Sequence, residues 1–86
     1  MRFAVLVETR LRPGIADPQG HTIERSLPAL GFEGIQDVRV GKAFRFTVEA
    51  SDEAAAAAKA DEVTKRFLIN PVIEDADVTI AATEPV

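Results

Sequence analysis

The stretch Val38-Arg-Val-Gly-Lys-Ala-Phe-Arg-Phe46 decides the fold. Followed through to Glu49 it keeps a strict parity: Val38, Val40, Phe44, Phe46 and Val48 are even-numbered, whereas Asp37, Arg39, Arg45, Thr47 and Glu49 are odd. Successive side chains of a strand point to opposite faces, so the even set makes one apolar face. A two-residue hairpin at Gly41-Lys42 pairs Val40 with Ala43 and Val38 with Arg45, which puts an arginine on that face. Register speaks against that turn. A three-residue loop, Gly41-Lys42-Ala43, keeps the face intact, but it places glycine first, where such loops want it last and left-handed. The favoured reading is one long strand, with Gly41 as a bulge or a point of close backbone approach. The loop stays open as the alternative. An RNA-reading strand of the RRM type needs Lys or Arg, then Gly, then an aromatic, with aromatics facing outward. Here Val40 precedes Gly41, Lys42 follows it, and Phe44 and Phe46 share the face of the valines, as core residues do.

Upstream, residues 2 to 12 alternate: Phe3, Val5, Val7 and Leu11 fall on one face, and Arg2, Glu8, Arg10 and Arg12 on the other. That is a half-buried strand, ended by Pro13-Gly14. Asp17 is then a good N-cap, with Pro18 at the first helical position and Gly31 just past the end. Ile23, Leu27 and Leu30 form a stripe that predicts a core-facing side. Pro28 removes a helix hydrogen bond and predicts a kink or a loosened last turn. Downstream, a second helix is expected from about Asp52 to about Phe67, capped by Ser51, with Ala56, Ala60, Val63 and Phe67 as its buried stripe. Asp52 and Glu53 suit the positive end of its dipole, and Lys65 and Arg66 the negative end. Asp61 with Lys65 and Glu62 with Arg66 are i,i+4 pairs on the outer side. Asn70-Pro71 ends the helix, and Val78, Ile80 and Ala82 share one face of a closing strand before a short polar tail.

The 86 residues make one domain, 1–86, near the low end of what a single core can hold unaided, so self-association is an expected source of buried area. Cysteine is absent and His21 is the one histidine, which excludes thiolate nucleophiles and a multi-histidine metal site within one chain. A net charge of -4 argues against a phosphate backbone as the main ligand. The longest apolar run, Ala54 to Ala58, is far too short to span a bilayer, and no signal-peptide pattern opens the chain. A cytoplasmic location is expected.

Three pieces stand at a distinctive spacing: "DPQG" at Asp17 to Gly20, "DVRVGK" at Asp37 to Lys42, and "NPVIED" at Asn70 to Asp75. With the "RPG" loop at Arg12 to Gly14, the chain resembles the PurS family, the small subunit of bacterial phosphoribosylformylglycinamidine (FGAM) synthase. The resemblance covers nearly the whole chain. It implies an α+β, ferredoxin-like two-layer sandwich, with two helices on an antiparallel sheet and a long central strand, paired into an intertwined dimer or higher oligomer. It implies a place in purine synthesis, where an amide of formylglycinamide ribonucleotide (FGAR) becomes the amidine FGAM. ATP activates the amide oxygen, and ammonia from glutamine displaces it. The complex would use ATP and Mg through a large synthetase subunit, and a separate glutaminase would supply the cysteine. This subunit would bridge the two and support ammonia transfer, with no catalytic residue, metal or cofactor of its own. The sequence agrees with that division, since it offers neither a cysteine nor a Walker-type phosphate loop.

Docking candidates follow. The helix start at Gln19, Gly20 and His21 carries amide groups able to meet carboxylates or phosphate, although Gly20 also suits close helix packing. Arg39 and Lys42 lie on the polar side of the long strand, and Asn70 to Asp75 reads as a structural stop. His21 has no nucleophile beside it and reads as a surface residue. A rival reading is a ferredoxin-like regulatory module that binds an amino acid or nucleotide, although nothing in the sequence marks a pocket for one.

Overall fold

The computed structural model of the chain describes residues 1–82, so the expected polar tail lies outside the described residues. Strand β1 (Arg2–Leu11) is followed by helix α1 (Pro18–Ser26), a 3-10 turn (Pro28–Leu30), strand β2 (Ala43–Glu49), helix α2 (Glu53–Val63), a π turn (Thr64–Leu68) and strand β3 (Glu74–Ala82). The sheet is antiparallel, in the order β2-β1-β3. This is the expected α+β arrangement, with one correction of detail. The central strand is β1, and β2 lies at an edge. The long strand expected from Val38 is shorter: β2 begins at Ala43 although β1 runs on to Leu11, because the amide of Lys42 turns to the Thr9 hydroxyl and those of Val40 and Val38 turn to Asp17 and Glu24 instead of to the β1 backbone.

The parity read from the sequence organises the core. Val5 lies between Phe46 and Ile80, Val7 between Phe44 and Val78, and Phe3 opposite Val48. Phe3, Val5, Val7 and Val48 are buried under α2, whose Ala56 and Ala60 are also buried. Small side chains let the helix axis approach the sheet, which is why an alanine-rich helix of modest hydrophobicity holds here. Asp52, not Ser51, caps α2: its carboxylate accepts from the amide of Ala55 at 2.8 Å, while Ser51 lies one residue too early. The outer pairs form as expected, Lys65 with Asp61 at 3.0 Å and Arg66 with Glu62 at 2.9 Å.

The buried stripe of α2 departs from the expected one. It continues through Thr64 and half-buried Leu68, leaving Val63 40% and Phe67 82% exposed. The stripe keeps an i,i+4 spacing through Ala56, Ala60 and Thr64, and the π turn at Thr64–Leu68, with more residues per turn than an α-helix, carries that spacing on to Leu68. Thr64 is tolerated in the core because its hydroxyl donates to the carbonyl of Ala60 at 2.7 Å.

Helix α1 also differs. It ends at Ser26, and Pro28 opens the 3-10 turn that Gly31 closes with a left-handed φ of 91°. The loosened last turn is as the proline dictates. The core-facing stripe is corrected: Ile23 and Leu30 are exposed and Leu27 is half-buried, because α1 packs on the 3-10 turn and residues 38–40 while α2 lies over the sheet. The segment from α1 to Lys42 therefore forms an arm. The radius of gyration, 16.8 Å, far exceeds the roughly 12 Å of a compact chain of this length.

Candidate docking site at the start of the first helix

The site is assembled where the arm crosses its own beginning. Asp17 is the N-cap of α1, and its Oδ1 accepts from the amide of Gly20 at 2.8 Å. Its second oxygen, Oδ2, accepts from the amide of Val40 at 2.8 Å. The side chain is 6% exposed. The amide of Val40, then that of Gly20, holds its carboxyl below the usual carboxylate range against the cost of burial, and the Arg39 guanidinium adds to the effect. One turn and more along α1, Glu24 accepts from the amide of Val38 at 3.0 Å.

Gly20 fits because nothing larger does. A Cβ there would lie 2.2 Å from the carbonyl oxygen of Val38, so the helix start and the arm touch backbone to backbone. Gly41 has the same role against the sheet, since a Cβ there would lie 2.0 Å from the carbonyl oxygen of Thr9. Around it the amide of Thr9 donates to the carbonyl of Lys42 at 2.8 Å, and the amide of Lys42 donates to the Thr9 hydroxyl at 3.0 Å. Close backbone approach is the expected function of this glycine, and the two-residue hairpin is absent, as register requires.

The five predicted residues come together here, in different roles. His21 and Arg39 line a cleft of about 450 Å³ with Asp17, Glu24 and Asp37. Gln19 and Lys42 line a groove of about 370 Å³ on the other side of Asp17, with Thr9, Leu11 and Glu74. Gly20 is buried against the Val38 carbonyl. The helix-start amides are largely taken by the chain itself: Gly20 donates to the Asp17 carboxylate, His21 donates to the Asp17 carbonyl, and Pro18 has no N–H. Arg39, with its side chain 43% exposed, folds back on its own chain, donating from Nη2 to the carbonyl of Ile15 at 3.2 Å, with Nε 4.0 Å from Asp17. It closes the 12–15 turn. His21, Gln19 and Lys42 stay exposed. Sequence reasoning read Asp17 only as a cap and did not find Glu24. Its signal, an acid seven residues after the cap on a two-turn helical repeat, is visible only once residues 38–40 are known to pass there.

At the other end of the chain, Asn70 anchors the turn into β3. Its Oδ1 accepts from Val72 at 3.1 Å and its carbonyl from Ile73 and Glu74, which makes it the structural stop the sequence suggested. No helix among the described residues is long and apolar enough to cross a membrane.

The profile of the family described as PurS: phosphoribosylformylglycinamidine (FGAM) synthase matches residues 4–82. A phosphoribosylformylglycinamidine synthase subunit PurS from Synechocystis is 40% identical over 74 residues, covering 86% of this chain and 74% of that one. The corresponding subunit of Methanothermobacter thermautotrophicus is 37% identical over 84 residues, covering 98% of this chain and 99% of that one. Among solved structures, the PurS subunit of Thermotoga maritima superposes with a TM-score of 0.87 at 29% identity, over 94% of this chain and 93% of that one. A chain in the structure of PurLQS from Thermotoga maritima gives 0.87 at 28% identity, over 94% and 99%. The match takes in the sheet, both helices and the junction held by Asp17, and by it the chain belongs to the PurS family.

Proposed function

We propose that the chain is the accessory subunit of an FGAM synthase complex in purine biosynthesis, bridging a glutaminase and a synthetase subunit and supporting ammonia transfer between them. The observation that carries this reading is the family match over residues 4–82. The likeness to a chain of the Thermotoga PurLQS structure supports the place in a complex. In this reading the subunit supplies surface and not chemistry. ATP, magnesium and substrate belong to the synthetase, the nucleophilic cysteine to the glutaminase, and the assembly works in the cytoplasm. Gln19, His21 and Lys42 meet a partner directly, and Arg39 acts through the turn that it closes.

The chain also pairs with a second copy in this reading. Ile23, Leu30, Phe32 and Ile35 are exposed along the arm, and Phe44 and Phe46 are only half-buried on β2. A second copy that covers both sets gives the small core the area it lacks. Leu30→Glu is expected to shift the sedimentation-equilibrium mass towards the monomer; a variant that keeps the wild-type mass counts against pairing through the arm.

The experiment for the main reading is reconstitution with the two partner subunits. Omitting this chain is expected to abolish most of the glutamine-dependent conversion of FGAR while sparing the reaction supplied with free ammonia. Equal loss of both rates would refute a role in ammonia transfer. Lys42→Ala, at limiting subunit concentration, is expected to weaken the glutamine-dependent rate while leaving the fold intact. Charges at an interface rim act mainly on association, so raising the concentration should restore the rate.

A further inference from the structure

The amides of Val38, Val40 and Lys42 recur with the two-residue period of a strand, and each has an oxygen waiting for it. At Lys42 the acceptor is the Thr9 hydroxyl of β1, at Val40 it is Asp17 Oδ2, and at Val38 it is Glu24 Oε1. Beyond Thr9, therefore, two carboxylates stand where the carbonyls of a neighbouring strand would stand. The spacing fits. Seven residues of helix advance about 10 Å and two residues of strand about 7 Å, and the long Glu24 side chain, leaning towards the helix start, makes up the difference.

We propose that Asp17 and Glu24 form a strand-mimicking latch. Closed, it holds residues 38–42 as a latent strand and fixes the direction in which the arm leaves the sheet. Open, it releases two strand-spaced amide donors. Backbone donors of an unpaired edge recruit other strands, and side-chain oxygens from α1 block that edge without committing it to a ladder. Arg39 works from the opposite phase of the same stretch, tying it to the carbonyl of Ile15. The charged groups facing Asp17 are Arg39, His21, Glu24 and Asp37 in the cleft and Lys42 and Glu74 in the groove. The amide bonds that hold the Asp17 carboxyl below its usual range also keep the Asp17 half of the latch shut until the pH falls below that range.

Amide hydrogen exchange of the full chain, read by NMR, tests the latch. In the double variant Asp17→Ala, Glu24→Ala, the amides of Val38 and Val40 should exchange at least about tenfold faster, as the loss of a bond to a charged acceptor implies. Those of Val5 and Val7, in the central strand, should keep their protection. Unchanged protection at Val38 and Val40 would overturn the proposal. If that variant does not fold, the wild-type chain carries the same test in acid. The amides of Gly20 and Val40 should then lose protection at a higher pH than those of Val5 and Val7, and simultaneous loss would show that no separate latch exists.

Discussion

The two ends of this small molecule are held by different forces. At one end β1, β2 and β3 bury Phe3, Val5, Val7 and Val48 under Ala56 and Ala60, and the hydrophobic effect supplies the stability. At the other, Gly20 is the only buried residue of α1, and the arm is kept in place by single hydrogen bonds from Asp17, Glu24 and Arg39. That arm leaves Leu30 69% and Phe32 55% exposed. A region that hides its apolar side chains is complete by itself, whereas one that displays them and is steered by polar contacts is shaped for company.

The sharpest way to break this contrast is at Phe3, which is 3% exposed. Phe3→Ala is expected to cost about 3–5 kcal/mol in urea unfolding, the usual cost of removing a buried phenylalanine. A loss below about 1 kcal/mol would mean that the sheet end is not the stability core. Next comes Gly41→Ala. Its Cβ would lie 2.0 Å from the Thr9 carbonyl oxygen, an obstacle made of backbone, so a loss of about 1–3 kcal/mol is expected with the m-value unchanged.

A smaller effect should appear in the pH dependence of Asp17. Its folded pKa is lowered, so its contribution is fully present above the unfolded value of about 3.9 and is lost as pH falls through the folded value. Urea midpoints of wild type and Asp17→Asn should therefore differ most at neutral pH and converge in strong acid; a gap that stays constant from pH 7 to pH 2 would assign the loss to packing instead. The smallest effect is expected at Phe67, which is 82% exposed. Phe67→Ala should lie within about 0.5 kcal/mol of wild type. A cost approaching that of Phe3→Ala would show that the outer side of α2 is covered in the assembled protein.

Much of the sheet was legible in the sequence because strands announce themselves by parity. The alternation of Phe3, Val5 and Val7, and of Phe44, Phe46 and Val48, is the register that the ladder adopts. Pro28 likewise predicted the loosened last turn, since it acts locally, although the sequence carried the helix on to Gly31 and α1 itself ends at Ser26. What escaped the sequence depends on distant partners. The second oxygen of Asp17 is committed to Val40, 23 residues away, and nothing local distinguishes a cap that serves one amide from a cap that serves two. Phe67 was read as buried because an α-helical period places it beside Ala56, Ala60 and Val63; the stripe instead steps by four residues to Thr64 and, through a π turn that no residue in Thr64–Leu68 marks, to Leu68. That the five residues are neighbours was legible: His21 and Arg39 line one side of Asp17, Gln19 and Lys42 the other, and Gly20 donates to its carboxylate. Their individual roles were not, since whether an arginine faces its own turn or open solvent depends on where the Ile15 carbonyl lies.

The outline of the molecule is 51 × 29 × 15 Å. A sphere of the same chain length would be about 30 Å across. An elongated chain of this kind acts as a gauge: two bodies gripping its opposite ends are set about half a hundred ångströms apart, farther than the same 86 residues could hold them if rolled into a ball. Because that reach depends on the angle at which the arm leaves the sheet, a few degrees of change at Asp17 would move the far tip by several times the displacement at the pivot. Lever geometry thus makes one carboxylate the calibration point of the whole length.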